Sequence, residues 1–560
     1  MKIISVPKGT GTYADSLRAI GTASLLEDTT RVQTTIRDMG SHFEIECVRD
    51  VPAEQWKTPE PGFHYIWRKS KEKERPQGML VLDYEEQQVR ARANRKVGGS
   101  RQGINRAVEE QGNAVSENVS REYGPSTILE SMRKGWNSDR VVYQWITSHP
   151  DKALKWVKCE LVPAENNKCE ESPEVSNSQF YNPVAGKGVH VTKTSYKSPS
   201  SINTQIVAPF AEWMKFRGAY YAMLPYRNDD DFKLFVIEPV EIGPKALSVL
   251  RERLLDLRLW GGIRLDIEAT LRLAEELINH SDVVQDAGIS LRGLRPSQVV
   301  SGLRQAYFKS MGTAAALMND AFLPLPSWFR IDNRDDANSF IGIIREHIGY
   351  YEDRQRKQGC LGVLDESHSG DVPILQEYRK WIATGEHGDF LEFLSRFAVK
   401  VMERRGRDEW VKEFSSENLT ILFERGYGMK EIVENSGFLN IANAIRNSTV
   451  SSFENLKSGW RGSGFETQFG MAQEWRQKMK GGKQVFIPAL SEFIQKHNWE
   501  AVHRLKKGSP PIAQDDLNNV MQLIEQWGVE LVGMLLLAYG YARAPKLETD
   551  NQAILNQGGK

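Results

Sequence analysis

Apolar and polar residues alternate on both sides of Met39-Gly40 in RVQTTIRDMGSHFEIECV (31–48). A period of two around such a pair marks two half-buried strands joined by a tight turn. GFHYIW (62–67) and GMLVLDYE (78–85) are further strand candidates, separated by the charged KSKEKERPQ. A second hairpin is expected in AYYAMLPYRNDDDFKLFVIEP (219–239), with Asn228, Asp229, Asp230 and Asp231 at its turn. That cluster is read as a polar turn between apolar strands, with a metal site as the competing assignment.

From about 246 to 358 the period becomes helical. DIEATLRLAEELINH (266–280) and DDANSFIGIIREHIGYYEDRQ (335–355) place apolar residues three and four apart. GCLGVLDESHSGDVP (359–373) is rich in Gly, Ser and Asp and reads as a linker. Three apolar stripes follow: Phe390, Phe393, Leu394, Phe397 and Val401; Phe438, Ile441, Ala442 and Ile445; and Val520, Leu523, Ile524, Trp527 and Leu531. The expected fold class is therefore α+β: a mixed, strand-rich N-terminal domain over 1–245 with a helical extension over 246–358. A linker over 359–377 then leads to an all-α helical bundle over 378–560.

Composition narrows the chemistry. The 560 residues carry 73 Lys and Arg against 73 Asp and Glu, so only the placement of charge can point to a partner. Cysteines 47, 159, 169 and 360 form no Cys-x-x-Cys pair, which indicates neither zinc nor a disulfide framework and suits a reducing compartment. The N-terminus lacks the apolar core of a signal peptide, and LVGMLLLAYGYA (531–542) is about half a membrane span. A soluble cytoplasmic protein with no membrane partner is expected.

NPVAGKGVHVTKTSYKSPSS (182–201) has the glycines and cations of a phosphate-contacting loop. It is not a Walker A loop: Tyr181 stands where the first glycine belongs, and Gly188 replaces the magnesium-holding hydroxyl. What remains is a glycine backbone, Gly186 and Gly188, beside Lys187, His190, Lys193 and Lys197. The acid Glu212 is followed by Lys215 and Arg217. Either a basic surface loop or close approach to a phosphate backbone accounts for it. A second segment, QQVRARANRKVGGSRQGINRAV (87–108), holds Arg90, Arg92, Arg95, Lys96, Arg101 and Arg106 and no acid. Two uncompensated basic glycine segments favour nucleic-acid contact over a solvated charge run. A third concentration lies at 440–510, where eleven Lys and Arg oppose five acids. Arg446, Lys457, Arg461, Arg476, Lys478, Lys480 and Lys483 are candidate contacts there, and Trp460 is a candidate stacking residue or a packing one. Metal, nucleophile and NTPase signatures are absent, so no catalytic residue, metal or cofactor is expected.

The opening VPKGTGTYADSLRAIGTASLLED, TTIRDMGSHFEI, YNPVAGKGVHVTK, EWMKFRGAYYAMLP and DFKLFVIEP occur in an order similar to one known family. GFLNIANAIRNSTV, FGMAQEWRQK and ELVGMLLLAYGYARAP continue it. The chain resembles the large subunit of the type I (I-B and I-A-like) CRISPR Cascade complex, with a fused region like the complex's small subunit. The resemblance implies a non-catalytic subunit of an RNA-guided complex, seated at the crRNA 5′ end beside the backbone and 5′-end-cap subunits. It implies recognition of a protospacer-adjacent motif in target double-stranded DNA, with the helical region steadying the displaced single strand. A separate helicase-nuclease or transposition effector would act afterwards. A metal-dependent nucleic-acid enzyme built on Asp229–Asp231 and a purely structural interaction subunit are the alternatives.

Overall fold

The computed structural model describes residues 3–59, 65–67, 69, 73–75, 81–83, 149–162, 209–228, 231–257, 259, 261–285, 288–310, 315–352, 355–457, 465–504 and 511–544. The chain divides into two compact units, 1–325 and 326–560. The first mixes antiparallel sheets with helices and the second is almost wholly helical, so the class is α+β followed by a helical bundle.

The first unit opens with β1 (Ile3–Pro7), α1 (Tyr13–Thr30), β2 (Thr34–Asp38) and β3 (His42–Cys47). Strands β2 and β3 form the expected hairpin, with Gly40 at φ 83° in the left-handed region its turn requires. Phe43, Ile45 and Cys47 are buried and the residues between them are not, as the alternation implies. Helix α1 leaves no such stripe because it is buried on almost every side by small residues such as Ala19, Gly21, Ala23 and Ser24. Its first turn is fixed locally. The Asp15 carboxylate accepts the N–H groups of Gly9, Thr10 and Gly11 at 3.2, 3.0 and 2.7 Å. The chain's own anion thus fills this glycine-rich loop.

Strands β4 (Tyr65–Trp67) and β5 (Val81–Asp83) pair in parallel. Helices α2 (Pro150–Leu161) and α3 (Pro209–Ala222) follow. Helix α3 crosses α1 at Gly21 and Gly218, where an added Cβ would overlap the carbonyl oxygens of Met214 and Leu17. Glycine at both positions lets the two backbones touch. At the same crossing Arg217 is buried, pairs with Asp28, and donates from Nε to Ser24 Oγ at 3.2 Å. Lys215 is buried as well. These two cations, which in the sequence extend the basic run after Lys197, belong to the core.

Strands β6 (Met223–Asn228) and β7 (Asp231–Pro239) form the second expected hairpin, with Asn228 opposite Asp231; residues 219–222 belong to α3. Strand β8 (Glu241–Ile242) completes a sheet of order β1-β3-β2-β8. Helices α4 (Pro244–Asp256) and α5 (Ile263–Asn279) meet the helical expectation, as does the helix at Arg334–Ile348, but the part between them does not. Two long strands, β9 (Val300–Ser310) and β10 (Ala315–Pro324), follow in a sheet of order β10-β9-β7-β6. Leu303 and Gln305 are buried on one face of β9, Ala306 and Phe308 on the other. Burial on both faces erases the alternation by which a strand is recognised.

The second unit contains α6 (Arg334–Ile348), the small hairpin β11 (Tyr350–Glu352) and β12 (Gln355–Lys357), α7 (Val372–Thr384) and α8 (His387–Gly406). Then come α9 (Ser416–Ile421), α10 (Lys430–Val433), α11 (Ser436–Arg446), α12 (Ser452–Lys457), α13 (Met471–Lys480), α14 (Lys483–Arg504), α15 (Gln514–Trp527) and α16 (Val529–Gly540). The first two stripes are buried in α8 and α11. The third is broken: Gly528, at φ 89°, ends α15 and leaves Leu531 to α16. Trp381 stacks on Phe390 at 4.0 Å and on Trp328 at 5.5 Å, and Trp328 stacks on Phe340 at 4.7 Å. His347 Nδ1 lies 2.6 Å from Tyr378 Oη, and burial drives that imidazole's pKa down to about 3.

The bundle core therefore begins well before residue 378. The expected linker lies inside this unit: Cys360, Leu361, Val363, Leu364 and Asp371 are all buried. Asp371 holds Lys400 at 2.6 Å and Arg404 at 3.3 Å, tying the segment to α8. Among the described residues no helix is long and apolar enough to cross a membrane.

Candidate nucleic-acid interface

The two N-terminal basic segments lie outside the described residues: Arg90, Arg92, Arg95, Lys96, Arg101 and Arg106, then Gly186, Lys187, Gly188, His190, Lys193 and Lys197. Trp460 and Arg461 also lie outside them, as do Asp229 and Asp230, and Lys457 closes α12. What the fold does define is the pair of helices that flank the second segment in the chain. Helix α2 stands between the two basic segments in the chain, and α3 follows the second. Trp156 of α2 stacks on Trp213 of α3 at 5.8 Å, and Phe210 sets its ring edgewise on Trp156 at 5.2 Å. Helix α3 is in turn locked to α1 by the Gly21–Gly218 crossing. In sequence, the second basic segment thus runs between two helices that share one aromatic joint.

In the helical unit the structure separates the candidate cations. Arg476, Lys478 and Lys480 ride on α13, and Lys483 begins α14 just beyond Gly481 and Gly482. Their charges are unequally available. Arg476 pairs with Glu392 on α8, Lys483 with Glu525 on α15 at 2.5 Å, and Lys478 with Glu474 one turn back at 2.7 Å. Lys480 is exposed. Two of the six excess positive charges counted along this stretch are thus met by carboxylates from elsewhere in the bundle, Glu392 and Glu525. Exposed pairs such as Lys478–Glu474 are weak, and phosphate can displace them.

Arg446 stands apart, at the end of α11, and its Nη1 is buried without a hydrogen-bond partner. Two arginines that pattern alone does not single out accompany it, Arg405 at the end of α8 and Arg543 after α16. A further feature missed by periodicity is Trp499 on α14. The residue is 54% exposed and its ring stacks against His503 at 4.8 Å, with Val502 66% exposed. Lys496, one turn earlier, pairs with Glu466 at 3.0 Å. The available signal was the trio Trp499, Val502 and His503 at positions where α14 needs no core residue.

Among the described residues no group of three or more His, Cys, Asp or Glu side chains is arranged to hold a metal ion. No protein-family model matches the chain, and no curated protein is similar to it.

Proposed function

We propose that the chain is the non-catalytic large subunit of an RNA-guided, type I Cascade-like complex that binds duplex DNA, recognises a short motif and helps separate the strands. The single observation that carries the proposal is the joint between α2 and α3, the two helices between which the second acid-poor basic segment runs in sequence. Clustered cations without acids between them suit a phosphate backbone, where each neutralised phosphate releases a counterion. The ordered series of family-like motifs supports the same assignment, as does a helical unit with its own core after a strand-containing one. In such a complex guide pairing supplies sequence specificity, and protein contacts supply the motif check and backbone affinity.

The test is duplex binding by the chain assembled with crRNA and its partner subunits, measured against salt. Neutralising Arg90, Arg92, Arg95, Lys96, Arg101 and Arg106 together should lower the log–log salt slope by up to about 5, at about 0.9 per lost phosphate contact. Shortening Gly186-Lys187-Gly188 should impair binding to closed duplex more than to a pre-melted one. An unchanged slope, or equal defects on both substrates, would refute the respective roles. Metal-dependent DNA cleavage by the chain alone would refute the non-catalytic assignment.

A further inference from the structure

Arg446 poses a local electrostatic problem. A guanidinium cannot shed its proton to relieve burial, as a lysine or histidine can. Its Nη1 is nonetheless buried with no acceptor. Burial and the neighbouring charges of Arg405 and Arg543 disfavour the cation, against the single carboxylate of Glu454. That carboxylate is already engaged, accepting from Arg405 Nη1 at 2.8 Å, and is 57% exposed. Arg405 also pairs with Glu413. Arg543 is half exposed, 3.6 Å from Glu346, and its backbone is pinned: its N–H donates to Phe414 O at 2.8 Å and its carbonyl accepts from Ser416 N–H at 3.0 Å.

The backbone around Arg446 is also irregular. The helical run passes from α11 through a π-turn at Asn447–Ser451 into α12, placing Arg446 and Glu454 on either side of the widened turn. Such turns recur at functional sites because they redirect side chains. The nearby carboxylates balance the three arginines in number but leave one buried donor, Arg446 Nη1, without an acceptor. A small tetrahedral oxyanion would supply the missing acceptor.

We infer that Arg446, with Arg405 and Arg543, forms a phosphate site in the helical unit, and that it grips one phosphodiester of a nucleic-acid strand. The second half rests on the function proposed above; the first does not. Arginine suits the task, since its planar fork matches phosphate oxygens.

The experiment uses the full chain, as wild type, Arg446→Met and Arg543→Gln. Melting is followed in sodium phosphate and in sodium chloride at equal ionic strength. Phosphate should raise the wild-type melting temperature and leave that of Arg446→Met unmoved. In chloride, Arg446→Met should melt at or above wild type, because it removes a guanidinium nitrogen buried without an acceptor. A lower melting temperature with an undiminished phosphate shift would make Arg446 structural and overturn the site. Arg543→Gln, half exposed and so tolerant of change, should reduce the phosphate shift; no reduction would remove Arg543 from the site.

The second arm measures a labelled single-stranded 12-mer by fluorescence anisotropy across a salt series. Arg446→Met should bind about 10-fold more weakly, the loss expected of one charge-assisted hydrogen bond, with a salt slope lower by about 0.7. Unchanged oligonucleotide affinity with the phosphate shift lost would keep a free-phosphate site and overturn its assignment to a strand. Absence of oligonucleotide binding by the wild type at every salt would overturn the nucleic-acid function and leave the phosphate site standing on the melting shift.

Discussion

Burial pushes the Glu238 carboxyl up to about 7 from its ordinary 4.5, while a hydrogen bond from Ser16 and the charge of Arg304, whose Nε lies 3.6 Å away, work against that rise. The sign follows directly. Between these pH values the folded protein keeps a proton that the unfolded chain has released. The stabilisation is complete below about 4.5 and is lost as pH rises through about 7. Glu238→Gln should therefore be more stable than wild type at pH 8, by on the order of 1–3 kcal/mol, and nearly equal to it at pH 5. Urea midpoints at the two pH values check this, and a less stable glutamine variant at pH 8 would contradict it. The basic residues of α13 divide by the same local accounting. Arg476→Ala should cost about 1 kcal/mol through its lost pairing with Glu392. Lys480→Ala should leave stability unchanged and weaken single-strand binding. Equal behaviour of the two variants in both assays would show that the ion pair does not set them apart.

At the scale of elements, the crossing of α1 and α3 is held by what its glycines lack. A methyl at Gly21 or Gly218 meets backbone carbonyl rather than a yielding side chain, so the helices must separate. Either Gly→Ala substitution should cost about 3 kcal/mol or more, whereas Gly9→Ala, with open space around it, should cost little. Denaturant titrations of the three variants measure this directly. Because α3 also carries Trp213, the crossing variants should lose duplex affinity in parallel with stability. Full stability in Gly218→Ala would mean that the helices do not approach as closely as described.

For the whole molecule, the decisive feature is where the second core begins. Trp328, Phe340 and His347 pack into the Tyr378–Trp381–Phe390 cluster, so a cut at 378 removes aromatic partners from the centre of the bundle. Large aromatic deletions from a core cost about 3–5 kcal/mol each. A fragment of 326–560 should show a cooperative thermal transition, and a fragment of 378–560 should lose it or melt far lower. A cooperative 378–560 with the same midpoint would show that residues 326–377 are dispensable to the bundle.

The hairpins at 34–47 and 223–239, the helices at 263–279 and 334–348, and the stripes of α8 and α11 are legible in sequence because each depends on a local period or turn. The two basic glycine segments and the family-like motif series are legible in the same way, as composition along a line. Strand β9 is not, since a strand buried on both faces carries no alternation. The 359–373 segment, polar in composition, is packed because Asp371 answers Lys400 and Arg404 from another helix. Charge shows the contrast most clearly. Sequence counts the cations, but only the tertiary structure decides which are spent: Arg476 meets Glu392 from 84 positions away, while Arg446 gathers Arg405 and Arg543 and finds no acceptor for its buried Nη1. Coulomb and hydrogen-bond energies depend on distances in space, and separation along the chain does not set those distances.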